Sequence, residues 1–164
     1  MFELLVAAKL LLLAPQVQLG SDRATIEARL GTPLGIGTDW MAERGRDRSD
    51  RVVTLDWPDI RVRLYESPAT KSVVLLGVTV TKDVLAIDSR VHVGVDRGTV
   101  LRELGGPAFE DKDQIVYSLQ QENATGPSST MRVVFRDDRV IGIDWTYPLA
   151  QPEPVEVKAA AGSR

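Results

Sequence analysis

The 164-residue chain contains no cysteine and a single histidine, His92. Without a thiol there is no disulfide, no thiolate zinc or iron–sulfur centre, no cysteine nucleophile and no lipid attached through cysteine. One histidine rules out a histidine-rich metal cage, and a serine–histidine–aspartate triad would have to use His92 itself. Charge of neither sign dominates: Lys and Arg total 20, Asp and Glu total 23, and the net charge is −3. A duplex-DNA binder is normally basic, because phosphate neutralisation supplies most of its non-specific affinity, so nucleic acid is not an expected partner. No apolar run reaches the ~20 residues of a membrane-spanning helix. The longest, FELLVAAKLLLLA at 2–14, is split by Lys9 and has Glu3 near its start.

What is present suits a folded chain. Apolar residues make up 43% and charged residues 26%, enough to build a core and too apolar for a disordered chain. Residues 1–15 read either as a poor export signal or as an apolar helix packed on the body, and Pro15 ends the segment in both cases. Residues 149–164, with prolines and then AAAGSR, read as a flexible tail.

The dominant feature is a repeat. VQLGSDRATIEARLGTP at 17–33 aligns without gaps on VHVGVDRGTVLRELGGP at 91–107, with eight identities in seventeen positions. In each, Val17/Leu19 or Val91/Val93 alternate as an extended lead-in. Ser21 or Asp22 in the first copy, and Asp96 in the second, can accept the free amide hydrogens of a helix start. Ile26 and Leu30, like Val100 and Leu104, lie four apart on one helical face. Gly31 and Gly105 stop the helix, and Pro33 and Pro107 prevent its restart. This predicts a helix of about three turns opening each unit.

Three alternating segments follow each helix: residues 53–57, 60–65 and 75–81 in the first unit, and 115–119, 131–135 and 140–146 in the second. Asp137 and Asp138 read as a tight hairpin turn. Short connections favour antiparallel pairing. The expected class is α+β: two tandem units, 16–88 and 89–148, each a helix with a three- or four-stranded antiparallel sheet, forming one curved sheet with helices on one face. Two segments break the symmetry and read as loops: 35–51 against the short 108–113, and 120–130 against Pro58 and Asp59.

Strand alternation separates two faces. Ile60, Val62, Leu64, Leu76, Val78, Val80, Met131, Val133, Phe135, Ile141, Ile143 and Trp145 should pack under the helices. The opposite face should carry Arg61, Arg63, Tyr65, Arg132, Arg136 and Asp144. That face reads either as a solvated surface with cross-strand charge pairs or as a docking surface for an acidic protein patch, arginine and tyrosine being common interface anchors. Trp57 and Trp145 fall at core positions, whereas Trp40 in the first long loop is the candidate exposed aromatic. His92 reads as a polar surface position.

Other signals are weak. Gly35 and Gly37 lack the third glycine and the lysine–serine/threonine pair of a phosphate loop. The run ERGRDRSDR at 43–51 nearly balances its charges and reads as a solvated loop. Glu110, Asp111 and Asp113 are too few for a calcium loop. The sequon at Asn123 matters only in a eukaryotic secretory pathway. No nucleophile–base pair lies close in sequence, so no catalytic residue, cofactor or metal ligand is assigned.

The helix-opening pattern V-x-x-G with L-G-x-P, before a small antiparallel sheet and repeated in tandem over residues 17–147, resembles the beta-lactamase-inhibitor-protein-like family, related to the SmpA/OmlA-type small envelope lipoproteins. The resemblance implies a non-enzymatic module that binds a protein through its sheet face and loops. It also implies a periplasmic, secreted or envelope-associated setting, while the poor export signal leaves a cytoplasmic one open. The chain lacks the cysteines of both groups, and its turn 66–72 has no aspartate to match the acidic turn of the inhibitors. An envelope assembly or scaffold component, and an enzyme with a carboxylate/arginine groove between the units, stand as alternatives.

Overall fold

The computed structural model describes residues 15–41, 49–84, 90–119 and 128–149. Helix α1, Arg23–Leu30, precedes strands β1 Gly35–Trp40, β2 Arg51–Asp56, β3 Ile60–Ser67 and β4 Ser72–Val80. Helix α2, Arg97–Leu104, precedes β5 Phe109–Glu110, β6 Gln114–Leu119, β7 Ser129–Arg136 and β8 Arg139–Thr146. The strands form one open, antiparallel, eight-stranded sheet in the order β1-β2-β3-β4-β8-β7-β6-β5. The protein is therefore mostly β, with few short helices.

Both helices start and stop as their sequences dictate. Asp22 and Asp96 take extended backbone, and their carboxylates accept from the amides of Thr25 and Thr99 at 2.9 and 2.8 Å. The threonine hydroxyls return a second bond to each aspartate. In the first copy Asp22 is thus the cap, not Ser21. Gly31 and Gly105 end the helices at φ 81° and 77°, a conformation that costs glycine nothing. Each helix has eight residues, a little over two turns and shorter than the three expected.

These caps carry a pH signature. Hydrogen bonds from Thr25 hold the Asp22 carboxyl below its usual range, and those from Thr99 do the same for Asp96. A depressed folded-state pKa contributes stability that is present above the unfolded value of about 3.9 and is lost as pH falls through the folded value. Asparagine keeps the cap acceptor but does not titrate. The double variant Asp22→Asn/Asp96→Asn should therefore show a flatter loss of thermal stability below about pH 4 than the parent, as read by melting curves across pH. Identical acid limbs would contradict the assignment.

Ile26 from α1 and Val100 and Leu104 from α2 join one buried cluster with Val53, Leu55, Val62, Leu64, Ile115, Met131, Val133, Ile143 and Trp145 from the strands. The register places two residues otherwise than strand alternation predicts. Pairing shifts between Arg63 and Leu64 on β3 and between Val134 and Phe135 on β7, so Leu76 and Ile141 are each the extra residue of a β-bulge. Leu75 and Val140 occupy the core places expected for Leu76 and Ile141, which are only half-buried.

The lead-ins also differ from expectation. Residues 15–19 are helical, with Val17 exposed and Leu19 buried, whereas 91–95 form turns with Val91 buried. His92 is half-buried, 3.4 Å from Asp83. The loop expected over 35–51 begins as strand β1, because the free edge of β2 offers a full ladder from Gly35 to Trp40. The loop expected over 108–113 contains the two-residue β5. Trp57 follows β2 and is half-buried, its indole N–H donating to the Gly31 carbonyl at 3.1 Å. The β7–β8 turn is the tight hairpin expected, with Asp137 and Asp138 at φ 50° and 63°. The expectations for residues 1–14, 42–48, 120–127 and 150–164 lie outside the described residues.

Candidate functional site

Antiparallel partners project to the same side of a sheet, so the register assembles the surface opposite the core. One row crosses all eight strands: Gly35, Asp56, Arg61, Thr79, Asp144, Arg132, Val116 and Phe109, each the direct partner of the next. The row beside it reads Gly37, Thr54, Arg63, Gly77, Thr146, Thr130 and Ser118. Continuity at the β4–β8 joint thus places Arg61, Arg63, Arg132 and Asp144 on one face, as expected from alternation. Arg61 and Arg132 stand three strand spacings apart, about 14 Å.

The arginines are not equivalent. Arg61 Nε donates to Asp56 Oδ1 at 2.6 Å, and this bond, with the carboxylate's charge, raises the Arg61 pKa. Arg132 donates through Nε and Nη2 to Asp144 Oδ2 at 3.0 and 2.6 Å. Both pairs are cross-strand and solvent-exposed; water and salt screen them, so they neutralise the row more than they stabilise the fold. Arg63 is exposed and has no ion pair among the described residues. Its direct cross-strand neighbours are Thr54 and Gly77, with Thr146, Thr130 and Ser118 further along the row. It is therefore a guanidinium with unspent donors over a low floor of small and hydroxyl side chains. Arg136, also exposed, lies at the hairpin end of β7 opposite Arg139.

Two expected site residues do not belong to this surface. Tyr65 shares the side of Arg61 and Arg63 but is only 8% exposed, and its hydroxyl donates to the likewise buried Asp50 at 2.5 Å. A buried phenol usually finds a hydrogen-bond partner of this kind. Trp40 is exposed, at 64%, yet it pairs in register with Arg51 on the side that carries Val53 and Leu55, away from the arginines. Arg51 stacks its guanidinium 5.9 Å from the Trp40 ring.

Sequence reasoning missed Phe109. It is 51% exposed and ends the arginine row on β5. A two-residue strand has no alternation to read, so only an aromatic residue beside an acidic turn signals it. Arg97 was also missed. Its guanidinium donates to Glu110, to the backbone carbonyls of Asp111 and Lys112 and to Asp138, and lies 4.2 Å over the Phe135 ring.

Shifted carboxylates mark caps and turns. Besides Asp22 and Asp96, Asp111 is held low, first by Gln114 and then by the amide of Asp113. Burial pushes Tyr117 up to about 12 and raises Tyr147 further, away from the arginine face. Among the described residues no group of three or more His, Asp and Glu is placed to hold a metal ion, and no helix is long and apolar enough to cross a membrane. No protein-family model, curated protein or solved structure matches the chain.

Proposed function

We propose that the chain is a non-enzymatic protein-binding module, built by tandem duplication, that docks an acidic patch of a protein partner on the sheet face around Arg63. The duplication reading is supported by features that recur in order: an aspartate cap bonded to a threonine, a glycine stop, and a β-bulge just before Gly77 and Gly142. On this reading the two units resemble the tandem inhibitor-like family, with their helices on one face of a shared sheet and the other face free to bind.

One observation carries the binding reading. Arg63 keeps its charge uncompensated among the described residues, while its neighbours Arg61 and Arg132 are neutralised by Asp56 and Asp144. The small residues beside it let a partner approach the sheet closely, and the flanking ion pairs keep the rim polar. A carboxylate meeting Arg63 in a desolvated contact would form a charge-assisted pair of bonds, the kind that fixes register in an interface. Arg136 and Phe109 extend the same surface toward the second half.

The test is capture from the native proteome by immobilised protein. Arg63→Glu should reduce recovery of the main partner at least about tenfold, the effect of losing one well-placed charge contact. Arg102→Glu, exposed on α2, should leave recovery unchanged. Equal recovery by wild type and Arg63→Glu would refute the proposal.

A further inference from the structure

The two edges of the open sheet are unlike. At one end stands β5, two residues long, preceded by Pro107 and closed by a turn in which Asp111 accepts from the amides of Asp113 and Gln114. Such an edge offers no ladder for another strand. At the other end stands β1, six residues with sequence GIGTDW and an exposed length from Ile36 to Trp40. It carries none of the lysines, prolines or bulges that usually blunt an edge. Ile36 is 54% exposed, and together with Trp40 it leaves a strip of apolar surface on one side of the strand.

We propose that β1 pairs antiparallel with β1 of a second copy, on a two-fold axis at Thr38, to make a closed dimer with a continuous sheet. The backbone fixes which residues are available. Met41 N–H donates to the Asp50 carbonyl, so by strand alternation the amides of Gly35, Gly37 and Asp39 turn toward β2. Those of Ile36, Thr38 and Trp40 then turn outward. Leu34 N–H is taken by the Asp56 carbonyl, which ends the available edge at Gly35.

Centring the pair on Thr38 sets Ile36 opposite the second copy's Trp40, Thr38 opposite Thr38, and Gly37 opposite Asp39. All three outward residues then form hydrogen-bonded pairs, about six bonds in total. Moving the axis to Gly37 leaves Trp40 opposite Leu34, whose amide is already used, and only about four bonds. Moving it to Asp39 sets two carboxylates face to face, which is repulsive. The favoured register buries the apolar strip, Ile36 against Trp40, and meets Asp39 with a residue that has no side chain. Because, among the described residues, only β1 offers a strand-length open edge, association ends at two copies and does not continue into a filament. With six strand residues on each side, against about 20–30 in a stable standard-size interface, the dimer is weak and concentration-dependent.

The absence of cysteine makes the register directly testable. Hydrogen-bonded partners lie about 5.5 Å apart at Cα, within disulfide reach. Under mild oxidation Thr38→Cys should give covalent dimers in high yield. Ile36→Cys and Asp39→Cys, whose copies are offset along the strands, should give at least about tenfold less. Sedimentation of the wild-type chain from about 10 µM to about 1 mM should shift toward the dimer, and Thr38→Pro, which removes an outward amide only, should stay monomeric. If Thr38→Pro fails to fold, the cysteine series decides. A chain monomeric throughout that range, or cross-linking equal at 36, 38 and 39, would overturn the proposal.

Discussion

Arg97→Ala is expected to lower the unfolding free energy by ~2–4 kcal/mol, whereas Arg23→Ala should cost only about 0.5 kcal/mol. The two arginines hold the same place after the helix cap. Among the described residues Arg23 makes one ion pair, with Glu27 one turn along its own helix. Arg97 is largely buried and ties the start of α2 to two other elements. Its Nη1 donates to Glu110 at 3.1 Å and to the Asp111 carbonyl at 3.0 Å, its Nη2 to the Lys112 carbonyl, and its Nε to Asp138 at 3.2 Å. The Phe135 ring lies under the guanidinium. Truncation leaves two carbonyls and two carboxylates without their shared donor and removes the cation–π contact. Urea unfolding of both variants checks the ranking, and similar losses would contradict it.

Gly77→Ala should destabilise the protein by about 1–3 kcal/mol, the usual cost of overpacking. A Cβ at Gly77 would sit 2.7 Å from the Trp145 carbonyl oxygen, across the joint between β4 and β8. The obstacle is backbone, so no rotamer change relieves it and the two strands must separate. At Gly142 the corresponding contact is with the Val80 carbonyl at 3.3 Å, and the neighbour needs to give by only a few tenths of an ångström. Gly142→Ala should therefore cost less than Gly77→Ala. At Gly106 an added methyl meets nothing within 4 Å, and Gly106→Ala should be near neutral. Denaturant midpoints of the three variants test the order, and a Gly77→Ala as stable as Gly106→Ala would show that the joint is looser than this geometry.

Local features of the fold were legible in the sequence, and features that depend on register were not. Asp96, Gly31, Gly105 and the Asp137–Asp138 turn act through neighbours a few residues away, so their types are sufficient evidence of their roles. The alternation of Arg61 and Arg63, and of Arg132 with Met131 and Val133, correctly assigned the face of each. Leu76 and Ile141 were misassigned because a bulge changes the face of one residue without changing composition. GIGTDW reads as a loop, since two glycines and an aspartate disfavour strand; the free edge of β2 overrides that preference. Alternation gives Tyr65 an outward face but cannot show that it is buried together with Asp50. Arg97 looked like Arg23 because the partners that distinguish them, Glu110, Asp111, Lys112 and Asp138, converge only in the folded chain. The candidate site narrows from a set of arginines to Arg63 because Asp56 and Asp144 neutralise its neighbours Arg61 and Arg132.

Photocross-linking reads directly which face of the sheet meets a partner. A photoreactive phenylalanine introduced at Thr130, on the Arg63 row, should trap the captured partner covalently. The same group at Arg102, exposed on α2, should not. Cross-links from position 102 with none from position 130 would contradict binding at the arginine face.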